Sequence, residues 1–357
     1  MKILYTYNGI VQRVGGVSRY FYEIYRRLIA HHNVDLETLF LTNDYFGSAT
    51  NRKLHLLYFF KKSIRLRIFV EDLFQCFYLL FHHYDIIHDT GESTLIRKIT
   101  RSPIVVTVHD MIPELFYTRD LRRHKRRYLS FHHADAIICV SENTKKDLLR
   151  FYPDLEEKPI RVIYHGFAYQ SVSYNRIVQD DYILYLGSRY AEYKNFIFML
   201  KAVREVLIKK KIKLVCTGLP FSKEERCEIE RLCIQKNIEN VGFVTDEDLA
   251  NLYHYALCFV YPSKYEGFGI PILEAFSHSC PVCLSDSSCF PEIAGDAAMY
   301  FNPNDKKDLE EKILTLVGSE QKRNEFIAKG KERLKFFSWD KTAKQTERFY
   351  NEIIIKK

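Results

Sequence analysis

The chain has 357 residues, of which 47% are hydrophobic, and its formal net charge is +8 at pH 7. This length exceeds what one hydrophobic core usually fills, so two domains are expected, and the hydrophobic fraction excludes a disordered chain. The positive charge leaves three anionic partners open: nucleic acid, a phosphorylated small molecule and an acidic membrane surface.

The cysteines and the first residues indicate a cytoplasmic protein. Nine cysteines are scattered through apolar stretches of a long chain, a pattern that favours reduced thiols over disulfides. The opening segment, MKILYTYNG, has one Lys and a very short apolar run. It is therefore predicted to form a buried strand rather than a signal peptide.

The first half of the chain alternates short apolar runs with longer amphipathic stretches. Six runs are predicted strands: KILYTY, VDLETLFL, YDIIHDT, PIVVTVHD, ADAIICVS and IRVIYHG. Segments with helical periodicity lie between them, for example 17–31 and 142–152. Continuous apolar strands separated by helices are typical of a parallel sheet covered on both faces.

Two stretches of this half combine apolar and basic residues. The stretch 54–83 has helical spacing, but charged residues interrupt it too often for a membrane span. An ordinary helix packed on a sheet is favoured there over a helix lying on a membrane surface. The basic run 119–128 is predicted to be a solvated helix face, with an acceptor-facing or membrane-facing patch as the alternative. No nucleic-acid-binding motif accompanies it.

The alternating pattern restarts after the polar stretch 166–181. The predicted strands are then YILYLGS, IKLVCTG, NVGFV, LCFVYPS and CPVCLSD, and the chain ends in an amphipathic helix that follows a Ser or Asp cap in FSWDK. We place the domain boundary near residue 172. The expected fold class is α/β, with two doubly wound, Rossmann-like domains facing across a cleft that would hold the ligand.

The segment EGFGIPILE, residues 266–274, follows the predicted strand LCFVYPS. Its glycines allow close approach to a ligand, and Pro271 suits the first position of a helix whose amide hydrogens favour a phosphate. Glu266 is then expected on the loop and Glu274 in the first helical turn, with separate tasks. The alternative for Glu266 is a solvated loop residue, and the alternative for Glu274 is a glutamate that only complements the helix dipole.

Three other motifs are discounted. CPVC (280–283), with Cys289 nearby, has zinc or redox spacing but lacks a second matching pair, so no metal site is predicted. DED (246–248) resembles a metal-binding Asp-x-Asp, but acidic residues capping a helix start explain it better. A nicotinamide dehydrogenase would need G-x-G-x-x-G after an early strand, and NGIVQRVGG does not supply it.

The spacing Glu, seven residues, Glu in EGFGIPILE resembles the signature of retaining glycosyltransferases of family 4, which have the two-domain GT-B fold. The resemblance covers nearly the whole chain. Further segments match in order: GGVSRY (15–20), VTVHDMIPE (106–114), ICVSENTKKDL (138–148), VIYHG (162–166), YLGSRYAEYKN (185–195), VGFVTDEDLANLY (241–253) and the terminal FSWDKTA.

The resemblance implies a catalytic group in the second domain. Arg189 and Lys194 match positions whose cations stabilise the departing diphosphate, where fixed positive charge favours the transition state. Glu266 matches the residue that contacts the donor sugar and supports its developing positive character. Glu274 matches the residue that holds the ribose hydroxyls.

The resemblance also implies backbone contacts with the donor. The amides of Phe268, Gly269 and Ile270 would hold sugar hydroxyls, and Val244 would contact the base through its backbone.

The first domain is expected to contribute three donor-facing or sugar-facing residues. Gly15 and Gly16 match a flexible loop that approaches the diphosphate and the acceptor. His109 ends a predicted strand, where the family places a histidine facing the sugar; a structural histidine is the alternative.

The implied domains are 1–171, on the acceptor side and joined by the helix 340–357, and 172–339, which binds the nucleotide sugar. The implied reaction is retaining, metal-independent and cofactor-free transfer of a hexose to a lipid-linked or cell-surface polysaccharide acceptor. VHDMIPE and SENTKKDL look most like bacterial O-antigen and mannosyltransferase-like members, which makes GDP-mannose a candidate donor in lipopolysaccharide biosynthesis. The expected location is the cytoplasm, with contact at the inner face of the cell membrane and none with nucleic acid.

Two other functions stay open. One is a nucleotide-sugar-binding protein that has lost catalysis, although the candidate catalytic residues are present together. The other is a glycoside hydrolase, whose two carboxyl groups would lie roughly 5 to 9.5 Å apart.

Overall fold

The computed structural model describes residues 1–6, 8–10, 15–39, 43–46, 64–91, 93, 95–168 and 172–356. The chain divides into two compact units, each with its own sheet. The first unit is Met1–Gly166 with Ser338–Lys357, and the second is Phe167–Phe337. No helix in these described ranges is both long and apolar enough to cross a membrane.

The sheet of the first unit has six parallel strands in the described residues, in the order β2-β1-β3-β4-β5-β6. Their bounds are β1 Lys2–Tyr5, β2 Asn33–Asp35, β3 Ile86–Asp89, β4 Ile104–Val108, β5 Ala136–Cys139 and β6 Ile160–Val162. Each strand overlaps one of the six predicted runs. The residues of β3, β4 and β5 are buried throughout, as expected for strands covered on both faces.

Five helices of the first unit are α1 Gly16–Leu28, α2 Ile64–Leu79, α3 Ile112–Phe116, α4 Leu121–His133 and α5 Glu142–Phe151. The part of the predicted stretch 54–83 that precedes α2 lies outside the described residues. The predicted basic run 119–128 falls mostly in α4, whose N-cap side chain is Asp120.

The C-terminal helix packs on the first unit. This helix, α13, spans Trp339–Ile355 and follows Ser338, one of the two caps predicted. The Tyr350 hydroxyl lies 2.5 Å from His88 Nδ1 in the core, and Arg27 donates to Asp340. A glycine is required at position 166, beside the start of α13, because a Cβ there would lie 2.1 Å from the Trp339 nitrogen.

Among the residues described for the second unit, the sheet also has six parallel strands, in the order β12-β11-β10-β7-β8-β9. Their bounds are β7 Tyr182–Tyr185, β8 Lys213–Cys216, β9 Ile238–Asn240, β10 Cys258–Tyr261, β11 Val282–Ser285 and β12 Ala298–Phe301. The prediction of a strand at NVGFV was wrong, since β9 ends at Asn240. The Asn240 side chain accepts from the Gly242 amide in a turn that needs the positive φ of Gly242.

In the described part of this unit the α-helices are α6 Phe196–Lys210, α7 Lys223–Arg231, α8 Asp246–Tyr255, α9 Ile270–Ser277, α10 Phe290–Ala294, α11 Lys306–Gly318 and α12 Glu320–Leu334. The segment DED opens α8, as predicted. However, the N-cap side chain is Thr245, which accepts from the Asp248 amide, and the acidic residues occupy the first turn.

Both sheets reverse their strand order next to the first strand of the unit. In the second sheet the chain moves outward from β7 to β8 and β9, and then resumes on the other side of β7 with β10. The loops that leave β7 and β10 therefore diverge and open a crevice at the carboxyl ends of these strands, where ligands of such sheets bind.

Candidate functional site

Two predicted catalytic residues meet at the order reversal of the second unit. Lys194 follows β7 and Glu266 follows β10, and the two strands are neighbours in register. Lys194 Nζ lies 2.7 Å from Glu266 Oε1, although the residues are 72 positions apart in the chain. The side chains are 16% and 12% exposed, so this ion pair is shielded but still reachable from solvent.

The main chain of Glu266 is fixed by the loop that follows β11. The Ser288 hydroxyl accepts from the Glu266 amide at 3.0 Å and donates to the Glu266 carbonyl at 2.5 Å. Ser288 has a φ of 57°, which an L-residue rarely adopts, so the loop is held in an uncommon conformation. Sequence reasoning missed Ser288, and only the position of its loop after a strand could have indicated it.

Aromatic rings hold the Lys194 ammonium from another side. Its Nζ lies 5.3 Å from the ring centroid of Tyr193 and 5.9 Å from that of Tyr261, within the range of a cation–π contact. Asn195 follows in the left-handed region and donates to the Pro303 carbonyl. The lysine thus has a defined position, which suits a cation that must be in place when negative charge develops.

Arg189 is placed differently from Lys194. Its side chain is 1% exposed, and its Nε donates to Glu225 Oε1 at 3.0 Å. The other guanidinium nitrogens donate to the carbonyls of Thr217 and Leu219, which follow β8. Arg189 therefore ties the loop after β7 to the loop after β8 and to α7. Its contact with the donor phosphates stays a prediction.

Gly269 caps the start of α9 with a φ of 88°. A Cβ at this position would lie 3.0 Å from Ile272 Cδ1 and 3.2 Å from Phe290 Cε1, so both the conformation and the space require glycine. Phe268 is buried just before it. Ile270 is the first helical residue. Pro271 is the second, whereas the sequence analysis predicted it at the first position.

Glu274 lies in the second turn of α9, so its predicted place in the first turn was wrong. The helix begins before Pro271, which moves Glu274 to the fifth helical position. Its Oε2 accepts from the hydroxyl of Tyr253 at 3.2 Å, and Tyr253 is fully buried. The same hydroxyl lies 3.2 Å from the Pro271 carbonyl. Sequence reasoning missed Tyr253, which fixes the orientation of this carboxylate.

Val244 lies in the loop between β9 and α8 and is partly exposed. Its neighbour Phe243 is 80% exposed, so this loop presents an aromatic ring to solvent. The predicted contact of the Val244 backbone with a nucleobase stays a prediction.

His109 follows β4 in the first unit. The residue as a whole is partly exposed, but both ring nitrogens are shielded and neither has a hydrogen-bond partner among the described residues. The rings of Tyr20 and Phe21 pack against it at centroid distances of 5.1 and 5.5 Å. Burial, together with the charge of Arg127, lowers the pKa of His109 to about 3. The imidazole is therefore neutral near pH 7 and offers one donor and one acceptor.

Gly15 and Gly16 mark the start of α1, a helix of 13 residues. Gly15 is the N-cap, in an extended conformation, and its carbonyl accepts from the Arg19 amide at 2.9 Å. The amide hydrogens of a helix's first turn favour a bound anion. Residues 11–14, which precede Gly15, lie outside the described residues.

Cys280, Cys283 and Cys289 are buried free thiols, and burial raises the pKa of each well above its usual value. The described part of the chain contains no cluster of three or more His, Cys, Asp or Glu residues arranged to hold a metal ion.

The chain matches two known families over nearly its whole length. Residues 14–170 match "Glycosyltransferase Family 4", and residues 171–333 match "Glycosyl transferases group 1". Among curated proteins, it is 26% identical to O-antigen chain mannosyltransferase B of Escherichia coli, across 98% of this chain and 99% of that protein. It is 27% identical to O-antigen chain mannosyltransferase RfbU of Salmonella typhimurium, across 58% and 59% of the two chains.

Solved structures share the architecture at low sequence identity. HepE of Anabaena, crystallised in complex with UDP, superposes with a TM-score of 0.73 at 18% identity, covering 99% of this chain and 100% of HepE. Sucrose-phosphate synthase of Thermosynechococcus elongatus gives a TM-score of 0.74 at 17% identity and full coverage of both chains.

Proposed function

The chain belongs to glycosyltransferase family 4 and has the GT-B fold, and from this premise we propose that it transfers a hexose from a nucleoside-diphosphate sugar with retention of the anomeric configuration. GDP-mannose is the proposed donor and mannose the transferred sugar, on the basis of the mannosyltransferases among the relatives of this chain. The proposed acceptor is a lipid-linked or cell-surface polysaccharide, at the inner face of the cell membrane.

The observation that carries this proposal is the Lys194–Glu266 ion pair at the order reversal of the second sheet. It provides a fixed cation and a fixed carboxylate three residues before Gly269, the cap of α9. Amides at the start of α9 and the Lys194 ammonium suit a diphosphate, whereas a carboxylate suits the hydroxyls and the developing positive charge of a sugar. The complexes of HepE with UDP and with UDP-glucose support a nucleotide-sugar ligand for this architecture.

The proposed reaction is a displacement on one face of the sugar. The bond between the anomeric carbon and the diphosphate oxygen breaks, and the electron pair leaves with the diphosphate, whose charge Lys194 stabilises. The acceptor hydroxyl forms the new bond on the same face, and its proton passes to the leaving phosphate oxygen. Glu266 supports the positive character of the sugar, and no metal ion takes part in the proposed steps.

His109 and Glu274 have binding roles in this proposal. Since burial holds the pKa of His109 near 3, its neutral imidazole donates to or accepts from a sugar hydroxyl rather than transferring a proton. Glu274, oriented by Tyr253, accepts from the ribose hydroxyls of the donor. Gly15 and Gly16, the N-cap and first residue of α1, offer their backbone amides to the diphosphate.

The test is a thermal-shift screen against UDP, GDP, ADP, their monophosphates and their sugar conjugates. The proposal predicts that one diphosphate series raises the unfolding temperature more than its monophosphate does. Turnover is then measured with the matching sugar nucleotide and an acceptor, and the anomeric configuration of the product by NMR. Selective binding of a nucleotide sugar without transfer would indicate an inactive binding protein. Release of free sugar from a glycoside when neither a nucleotide sugar nor an acceptor is present would indicate a hydrolase.

A further inference from the structure

A cavity of about 410 Å³ lies within the first unit, between α3, α4 and the end of α5. Its volume falls within the roughly 300–1,000 Å³ that is usual for small-molecule sites. None of the residues that line it takes part in the proposed transfer. Its wall includes Glu114, Thr118, Lys125, Tyr128, Phe151 and Tyr152.

The cavity is displaced from the carboxyl ends of the strands, where His109 lies. Helix α5 begins just after β5, and its ten residues carry the chain roughly 15 Å back toward the amino ends of the strands. Phe151 and Tyr152 stand at the far end of that helix. There, Lys158 donates to the carbonyl of His132 near the end of α4. The cavity is therefore a separate site from the one at which this sheet would bind a ligand beyond its strands.

Glu114 brings a buried carboxylate to the cavity, since its side chain is only 3% exposed. Its Oε1 accepts from Arg127 Nε at 2.7 Å and from the Tyr152 hydroxyl at 2.9 Å. Its Oε2 is shielded from solvent and accepts no hydrogen bond from the described residues. Because a buried carboxylate oxygen without a donor is costly, a hydroxyl of a bound molecule or an enclosed water must supply one.

Two aromatic rings form a corner of the cavity. The ring centroids of Tyr128 and Tyr152 are 5.9 Å apart, and the ring planes are inclined by 59°. Tyr128 is 43% exposed, yet its ring is held in place by stacking on His132 at 3.8 Å, and His132 is paired with Asp154. A fixed and exposed ring suits the face of a pyranose, because the C–H hydrogens of the sugar are attracted to the negative face of the ring.

The charges around the cavity select among the ligands that would fit it. An ammonium ligand would be repelled by Lys125 and by Arg127, the partner of Glu114. A phosphate would lie against the buried carboxylate of Glu114. A neutral molecule with several hydroxyls meets neither penalty. Its hydroxyls donate to Glu114 Oε2 and accept from Lys125 and Thr118, which are both exposed.

We propose that this cavity is a second saccharide site, which holds one pyranose unit of a glycan at a distance from the transfer reaction. The sugar ring stacks on Tyr128, and one of its hydroxyls donates to Glu114 Oε2. A polysaccharide held there stays close to the crevice while its end is extended, which raises the effective concentration of that end. This inference rests on the proposed function for the role of the glycan as the acceptor, but saccharide binding is measured without nucleotide or turnover, so the two proposals fail separately.

The first experiment is a calorimetric titration of the full chain, without nucleotide, with trisaccharides of mannose, galactose and glucose. Tyr128→Leu keeps an apolar side chain but removes the ring. The matched control is Tyr117→Leu, because Tyr117 is 44% exposed and is not among the residues that line the cavity. We expect one of the trisaccharides to bind the unchanged chain, to bind Tyr128→Leu about tenfold more weakly, and to bind the control with less than about a twofold change. Tyr128→Phe, which keeps the ring, should bind like the unchanged chain.

The hydrogen bond to Glu114 is tested on the ligand, because Glu114→Gln would also leave Arg127 buried without its counter-ion. A fully O-methylated form of the bound trisaccharide keeps the sugar rings but has no hydroxyl that donates. We expect it to bind at least about tenfold more weakly than the free trisaccharide. Equal affinities would contradict the part assigned to Glu114.

The place of binding is tested with a fluorescent reporter. Trp339 is the only tryptophan of the chain and is buried, so Tyr128→Trp adds one exposed indole to the cavity, and Tyr117→Trp is its control. We expect the trisaccharide to change the emission at position 128, with the dissociation constant found by calorimetry, and not at position 117. In turnover assays, Tyr128→Leu should raise KM for a long polysaccharide acceptor and leave kcat and the KM of a short acceptor unchanged.

Four results would overturn the second saccharide site. They are no binding of any trisaccharide by the unchanged chain, as for a cavity that holds only water; equal affinity in Tyr128→Leu and Tyr117→Leu; calorimetric binding to which the indole at position 128 does not respond; and an unchanged KM of Tyr128→Leu for the long acceptor. Trisaccharide binding in a chain that shows no turnover would instead count against the proposed function alone.

Discussion

Replacement of Arg189 by methionine is expected to destabilise the second unit strongly. The guanidinium and the Glu225 carboxylate are 1% and 5% exposed, so the substitution leaves a buried carboxylate without its cation. Breaking such a pair costs about 3–5 kcal/mol. For a unit of this size, that corresponds to a decrease of roughly 6 to 20 °C in its unfolding temperature. The control is Arg176→Met, whose ion pair with Asp181 is exposed, and which should cost less than about 1 kcal/mol.

The assay is denaturant unfolding of both variants, with nucleotide binding measured in parallel by calorimetry. A further variant, Arg189→Met with Glu225→Met, removes both charges and should recover part of the lost stability, because no unpaired carboxylate remains. The reasoning would be refuted if the free energy of unfolding of Arg189→Met lay within about 1 kcal/mol of that of the unchanged chain. If Arg189→Met left the free energy of unfolding unchanged but abolished nucleotide binding, the arginine would contact the donor rather than stabilise the loops.

Three further predictions follow from the geometry of the two units. Tyr253→Phe removes the hydroxyl that orients Glu274 and should raise the dissociation constant of the nucleoside diphosphate about three- to tenfold in calorimetry, with a stability loss of about 1 kcal/mol. Gly269→Ala forces a side chain into a φ of 88° and should cost about 1–3 kcal/mol in denaturant unfolding, whereas a cost near zero would show that the cap relaxes. The pH prediction concerns the shielded histidines of the first unit, His88, His109 and His165. Burial lowers the pKa of each, so below pH 6.5 the unfolded chain binds protons that the folded chain does not, and stability falls as the pH is lowered. The slope is about 1.4 kcal/mol per pH unit for each histidine, partly offset below pH 6 by Asp89, whose pKa burial raises to about 6. Thermal unfolding between pH 7 and 5 measures this pH dependence of stability. An unfolding temperature that does not change over this range would contradict the prediction.

The sheets were largely predictable from the sequence because their strands are short, continuous apolar runs. The exceptions have physical reasons. β12 spans only four residues, Ala298–Phe301, and follows Gly295, Asp296 and Ala297, which do not continue an apolar run; we did not predict it. β9 spans Ile238–Asn240 and shares only Asn240 with the predicted run NVGFV, because the Gly242 turn ends the strand early.

The candidate site was predictable only in part. The resemblance to family 4 located Glu266 and Lys194, and the order reversal of the sheet explains why they meet. Ser288 and Tyr253 position the two glutamates through contacts between distant parts of the chain, and single-residue patterns carry no signal for such contacts. The burial of Arg189 was also unpredictable, because an arginine on a loop is ordinarily exposed.

The inward polar side of α2 escaped prediction for a similar reason. Helical spacing in 64–79 indicates two sides but does not say which one faces the protein when the helix is apolar on most of its surface. The hydrogen bonds of Glu71 and Gln75 decide the orientation, and they depend on the backbone of a separate segment.

The most direct test of the account is calorimetric titration of nucleoside diphosphates into the unchanged chain and into Lys194→Met. The controls are Lys209→Met, an exposed lysine of α6, and Lys194→Met with Glu266→Gln, which leaves no unpaired carboxylate. The account predicts that the diphosphate of the donor binds more tightly than the monophosphate. It also predicts that loss of the Lys194 ammonium weakens the binding of the diphosphate about 10- to 100-fold. Equal affinity in Lys194→Met and Lys209→Met, or no preference for the diphosphate, would contradict a donor site at this ion pair.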